Sequence, residues 1–188
     1  SLAAAALAAL ALPQAAAAAQ RIGPDLATTP PPTAACGAMT CVATQLAGVG
    51  GAAPADGVIT RVRLRHGPAS SATLGDDVRV VVLERADGGQ LRLVSESGKA
   101  TVTGTAADQV VTFQTRIPIR AGQLIGLRVD STFAQASSWL TVLGAAAPGT
   151  TVGLHAGLHP GGTTAAYTAV DGRLLLMNAD LEPDADGD

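Results

Sequence analysis

"VITRVRLRHG", residues 58–67, sets Val58, Thr60, Val62 and Leu64 on one series of alternate positions and Arg61, Arg63 and Arg65 on the other. Alternate side chains of a strand point to opposite faces, so this stretch reads as a β-strand with one wet face. The same period of two continues in both directions, punctuated by Gly, Pro and Asp. "VRVVVLER" (78–85) is more continuously apolar and marks a central strand. It turns at "ADGG", a hairpin signal, into "QLRLVSES" (90–97). "QVVTFQTRIPI" (109–119) alternates again, and Pro118, which has no N–H to donate, confines its end to an edge or an exit. "AGQ" then turns the chain into "LIGLRVD" (124–130). "TCVATQL" (40–46), "SWLTVLG" (138–144), "TTVGLHA" (150–156) and "GRLLLMNADLE" (172–182) bring the total to about nine strands. No long helical stripe and no internal repeat interrupts them. The expected fold is all-β: an antiparallel β-sandwich, jelly-roll or immunoglobulin-like, preceded by a signal-peptide-like helix.

Composition sets the limits. The 188 residues are 47% hydrophobic and 14% charged, which suits one domain plus something unstructured. A formal net charge of −3 supplies no strong field for nucleic acid or anionic lipid. Phe113, Phe133, Trp139 and Tyr167 are the whole aromatic inventory. Stacking platforms for bases or sugars need exposed aromatic faces, and few remain once a core is built. The core therefore has to be Val, Leu, Ile and Ala.

The beginning, "SLAAAALAALALPQAAAAAQ", is an apolar run, a break at Pro13 and a small-residue stretch, the order of a secretory signal. Residues 1–19 are expected to be a signal peptide, incomplete at its N-terminus, cut after Ala17-Ala18-Ala19. An Ala-rich helix packed on the domain competes with this reading. A membrane anchor is disfavoured, because the run before Pro13 is shorter than the ~20 residues a span needs. Residues 20–35 are rich in Pro and Thr and read as a stiff, extended linker. Residues 36–182 would then form the sandwich, and 183–188 an acidic tail. Export suits the two cysteines, Cys36 and Cys41, which would most simply pair with each other in an oxidising compartment. Closing so short a loop stabilises by about 2 kcal/mol at best. Their spacing is not C-x-x-C, and no second pair exists to complete a zinc site.

Catalytic patterns are weak. His66 stands beside Gly67-Pro68 and reads as an exposed turn residue. His155 and His159 are four apart, a metal-ligand spacing on a helix, but Gly157 and Pro160-Gly161-Gly162 argue for loop histidines. Ser70-Ser71 lies in a plain loop with no nucleophile elbow around it. Glu84, Glu96 and Glu182 fall at strand ends without declaring a carboxylate pair. The arginines of "RVRLR" either bind polyanions or, the better reading, are a solvated face neutralised by nearby Asp and Glu. The chain is not expected to be an enzyme.

The tail, "PDADGD", places Asp184, Asp186 and Asp188 at alternate positions, the opening of an oxygen-ligand calcium loop. The competing reading is a charged, solubilising tail. "DGVITRVRLRHG", "FQTRIPIRAGQLIGL" and "LLLMNADLEPDADGD" together resemble a group of bacterial secreted proteins, mostly of unknown function, in which a β-sandwich runs into thrombospondin type 3-like calcium-binding repeats. The resemblance spans roughly residues 36–188 and implies that Asp184, Asp186 and Asp188 are the first ligands of a first repeat, cut here after its third aspartate. It implies calcium as the cofactor, completed by residues beyond Asp188. The expected function is a secreted or cell-surface, non-catalytic module for adhesion, binding or spacing, with an extracellular partner, a glycan among the candidates. A polysaccharide-binding module of jelly-roll type is the alternative. Neither nucleic acid nor a transmembrane span in the mature chain is expected.

Overall fold

Alternating apolar and polar residues need a partner for each strand's backbone and a cover for each apolar face. The chain meets both needs with three antiparallel sheets around one core. The computed structural model describes residues 19–35, 40–68, 75–103, 106, 108–131, 140–145, 148–156, 158 and 166–184. Among them no sheet closes into a barrel, and no helix is long and apolar enough to cross a membrane.

The first sheet has the order β1 (Gln20–Ile22), β14 (Met177–Glu182), β4 (Gly57–His66) and β8 (Gln109–Ile119). The second is β13 (Arg173–Leu175), β10 (Thr141–Ala145) and β2 (Pro32–Ala35). The third runs β12 (Thr168–Asp171), β11 (Thr151–Ala156), β3 (Thr40–Ala47), β9 (Leu124–Ser131), β5 (Asp76–Arg85) and β6 (Leu91–Glu96), and β7 (Ala100–Val102) also pairs with β5. The expected hairpin at 86–89 is present, with a 3-10 turn at Asp87–Gly89 between β5 and β6. Pro118 does lie at the end of an edge strand, and β5 is internal to its sheet.

The main core draws on all three sheets: Ile59, Val62 and Leu64 from β4, Val78, Val80 and Val82 from β5, Leu127 from β9 and Val142 from β10 are all fully buried. A second cluster, including Val42, Val81, Leu83, Leu91 and Leu124, lies on the opposite face of the third sheet beneath Leu158, with Tyr167 packed against it. That β5 contributes to both clusters explains why its sequence is apolar at consecutive positions.

Three expectations need correction. Val58, Thr60, Val62 and Leu64 do not share one buried face. Against β14, β4 carries one extra residue between Ile59 and Arg61, so the buried series is Ile59, then Val62, Leu64 and His66. A bulge of this kind reverses the faces on either side of it. His66 is accordingly not an exposed turn residue but fully buried. Residues 20–35 are not a linker apart from the fold. β1 pairs with β14, β2 pairs with β10, and Ile22 and Leu26 are buried. The same segment accepts hydrogen bonds from buried Asn178, whose Nδ2 donates to the Pro24 carbonyl at 2.9 Å, and from Arg65, which donates to the carbonyls of Leu26 and Thr29.

Asp180 ties the first sheet together. In register it stands opposite Arg21 on one side and Arg61 on the other. Its carboxylate accepts two hydrogen bonds from Arg63, at 2.8 and 2.9 Å, and lies 3.7 Å from Arg61. The Arg63 hydrogen bonds hold the Asp180 carboxyl below its usual pKa, helped by the charges of Arg63, Arg61 and Arg21 and opposed by partial burial. A depressed folded pKa stabilises the fold above the unfolded value, near 3.9, and that stability is lost as pH falls through the folded one. Asp180→Asn should therefore cost about 1–3 kcal/mol at neutral pH. Denaturant titrations should show the difference from wild type closing below about pH 4. A pH-independent difference would mean that the carboxylate charge contributes nothing.

Candidate functional site

Residues of the first and third sheets and of their connections line a cleft of about 1060 Å³. Its walls combine Gly57, Pro118 and Ile119 from the first sheet with Glu84, Arg92 and Ser95 from the third. Asp56, Arg120 and Gln123 come from the connections, and Pro183 and Asp184 follow β14 along the rim.

Each wall is held by local chemistry. The backbone N–H of Ala121 donates to Asp56 Oδ1 at 2.7 Å, and that of Arg120 to Gln123 Oε1 at 2.8 Å. Gly122 turns between them at φ 81°, in the left-handed region that glycine occupies freely. Glu84 and Arg92 face each other across β5 and β6 as an ion pair. Ser95 Oγ is shielded from solvent and has no hydrogen-bond partner among the described residues. The exit of β14 is set by Gly57, where a side-chain Cβ would fall on the Glu182 carbonyl oxygen and come within 2.8 Å of Leu181 Cδ1. Thr60 Oγ1 donates to Glu182 Oε1 at 3.1 Å and fastens the same corner.

The lining thus offers three carboxylates (Asp56, Glu84, Asp184), two guanidiniums (Arg92, Arg120) and an amide (Gln123). That set suits hydroxyl-rich or cationic ligands. Neither His nor Cys lines it.

Of the residues singled out in the sequence, Asp184 is exposed on this rim, while Asp186 and Asp188 lie outside the described residues. Among the described residues no three His, Cys, Asp or Glu side chains come together as a metal site. Cys41 is buried on β3 and carries no free thiol; Cys36 lies outside the described residues. Ser70, Ser71, Phe133, Trp139 and His159 lie outside them as well.

His155 sits on β11 rather than in a loop. It is 2% exposed, its Nδ1 lies 3.2 Å from the Ala166 carbonyl oxygen, and its ring meets Tyr167 edge-on at 5.6 Å. Burial pushes its pKa below the usual imidazole value, against the pull of the Ala166 carbonyl. It helps to pack the second apolar cluster. His66 Nδ1 lies 2.6 Å from the Gly67 carbonyl oxygen within the main core.

The arginine stripe is neutralised in place. Besides Arg61 and Arg63 on Asp180, Arg65 pairs with Asp108. A second network passed unnoticed in the sequence: Arg79 and Arg128 stand opposite each other on β5 and β9, sharing Asp130 and Glu96 between them. The cleft was missed too, since its residues are scattered from position 56 to 184. The one available signal was the repeated charge at turn positions, Asp56, Arg120 and Asp184.

Gly57→Ala should shift β4 against β14 and lower unfolding free energy by about 1–3 kcal/mol. Gly98→Ala, where a Cβ would meet nothing within 4 Å, should stay within about 0.5 kcal/mol of wild type. Equal effects in the two variants, measured by denaturant titration, would show that the exit corner is not close-packed. Compared with models of known protein families and with curated proteins, the chain matches none.

Proposed function

We propose that this chain is an exported, non-catalytic β-sandwich module of the cell surface or extracellular space, leading at its C-terminus into a calcium-stabilised segment. The observation that carries the reading is the pinned exit. β14 is held between β1 and β4, and the chain leaves it at the cleft rim with Asp184 first in a run of alternating aspartates. A fixed exit lets stiffening of the following segment set its direction relative to the sheets. Calcium would do this by neutralising aspartates that otherwise repel, with Asp184, Asp186 and Asp188 as its first ligands and later ones supplied from beyond Asp188. A disulfide between Cys36 and Cys41 belongs to the same extracellular reading.

In the full-length gene product, calcium at about 10⁻⁴–10⁻³ M should raise the melting temperature, and Asp184→Ala should abolish the rise. No rise in the unmutated protein removes the calcium reading.

The cleft favours a second reading, a polysaccharide-binding module of jelly-roll type. Carboxylate, guanidinium and amide groups from two sheets and their connections line it together, groups that can hydrogen-bond sugar hydroxyls. A glycan array separates the two readings. Binding that is lost on Arg120→Ala supports the second, and a blank array leaves the first.

A further inference from the structure

Sheet edges carry unpaired backbone donors and acceptors, and proteins blunt them with short strands, charges or proline. Most edges here are short. β1 and β13 have 3 residues each, β2 and β12 have 4, and β7 has 3. β6, with 6 residues, carries Arg92 and Glu96. β8 breaks the pattern. It has 11 residues, pairs among the described residues only with β4, and carries a single charge, Arg116. Its core-facing side is covered only towards its C-terminal end. Ile117 and Ile119 are buried, while Val111 and Phe113 pack against the main core yet stay half-exposed, as does Thr115. Val110 on the outer face is 54% exposed.

We propose that β8 is the surface through which two copies of this chain associate, running antiparallel across a two-fold axis at Phe113. The strand's sequence is self-complementary about that residue. Val111 falls opposite Thr115 of the second copy and Phe113 opposite its twin, which covers the half-exposed core-facing side. Thr112 falls opposite Gln114, and Val110 opposite Arg116, so the two Arg116 charges stay apart. The paired stretch, 109–117, ends before Pro118, the residue that could not donate. Joining the edges makes one eight-stranded sheet from two four-stranded ones, and this isologous geometry closes without leaving a long edge free.

The test is sedimentation velocity of the full chain from about 1 to about 100 µM, with two double variants. In the monomer Thr112 and Gln114 are exposed and stand opposite Arg63 and Arg61 on β4. Acidic residues there are compatible with the fold, and unfolding midpoints serve as the control. Thr112→Glu/Gln114→Glu sets like charges opposite each other twice across the two-fold axis and should weaken dimerisation about tenfold or more. Thr112→Glu/Gln114→Lys sets opposite charges there and should restore it. Amide exchange of residues 109–117 in the wild type should slow as concentration rises. A wild type that sediments as a monomer throughout, or a dimer that treats the two variants alike, overturns the proposal. So does a monomer that instead captures an unrelated extended peptide along β8.

Discussion

The whole arrangement depends on the last strand being laid between the first and the fourth. β14 has backbone partners on both sides, β1 through Ala179, Asp180 and Leu181, and β4 from Val58 to Leu64. The first sheet cannot close until some 160 residues of intervening chain have been placed. That ordering makes the sheet a product of long-range contacts rather than of local hairpins. It also means that the two ends of the described chain meet in one sheet, with Asn178 and Arg65 holding residues 24–29 against it.

Charge follows the same logic. Arg63 and Asp180 are 117 positions apart in sequence, and Arg65 and Asp108 are 43 apart. A row of arginines directly on one strand, and Arg79 set opposite Arg128 on two others, would each repel. In both places one partly buried carboxylate lies within ion-pair distance of two guanidiniums, Asp180 with Arg61 and Arg63 and Asp130 with Arg79 and Arg128. Among the described residues Arg61, Arg63 and Arg65 are thereby each paired with a carboxylate.

How legible this was in the sequence varied with the range of the interaction involved. Strand positions came through well, because a period of two is local. Residues 109–119 match β8 at both ends, and β4 and β9 lie within a residue of their expected bounds. β1 and β2 were hidden because Pro- and Thr-rich chain looks the same whether it hangs free or supplies one edge strand to a distant partner. The face assignment around Ile59 failed because a bulge leaves no mark in composition. His66 was legible in principle, since it continues the Val62, Leu64 alternation, but the adjoining Gly67-Pro68 suggested a turn already begun. For the cleft the sequence offered only the charges at turn positions, Asp56, Arg120 and Asp184. Its lining residues run from position 56 to 184 and come from two sheets, and no local pattern encodes how the sheets are brought together.

The cleft includes Pro183 and Asp184, the residues that follow β14. Asp184 supplies one of the three carboxylates in a lining that also holds two guanidiniums. If calcium takes Asp184 as a ligand, the cleft loses a negative charge and gains a divalent cation beside it, so affinity for a hydroxyl-rich or cationic ligand must change. Reciprocity then requires such a ligand to alter calcium affinity by the same factor. The stiffened tail and the cleft would act as one site, because Gly57 allows the end of β14 to lie directly against the start of β4.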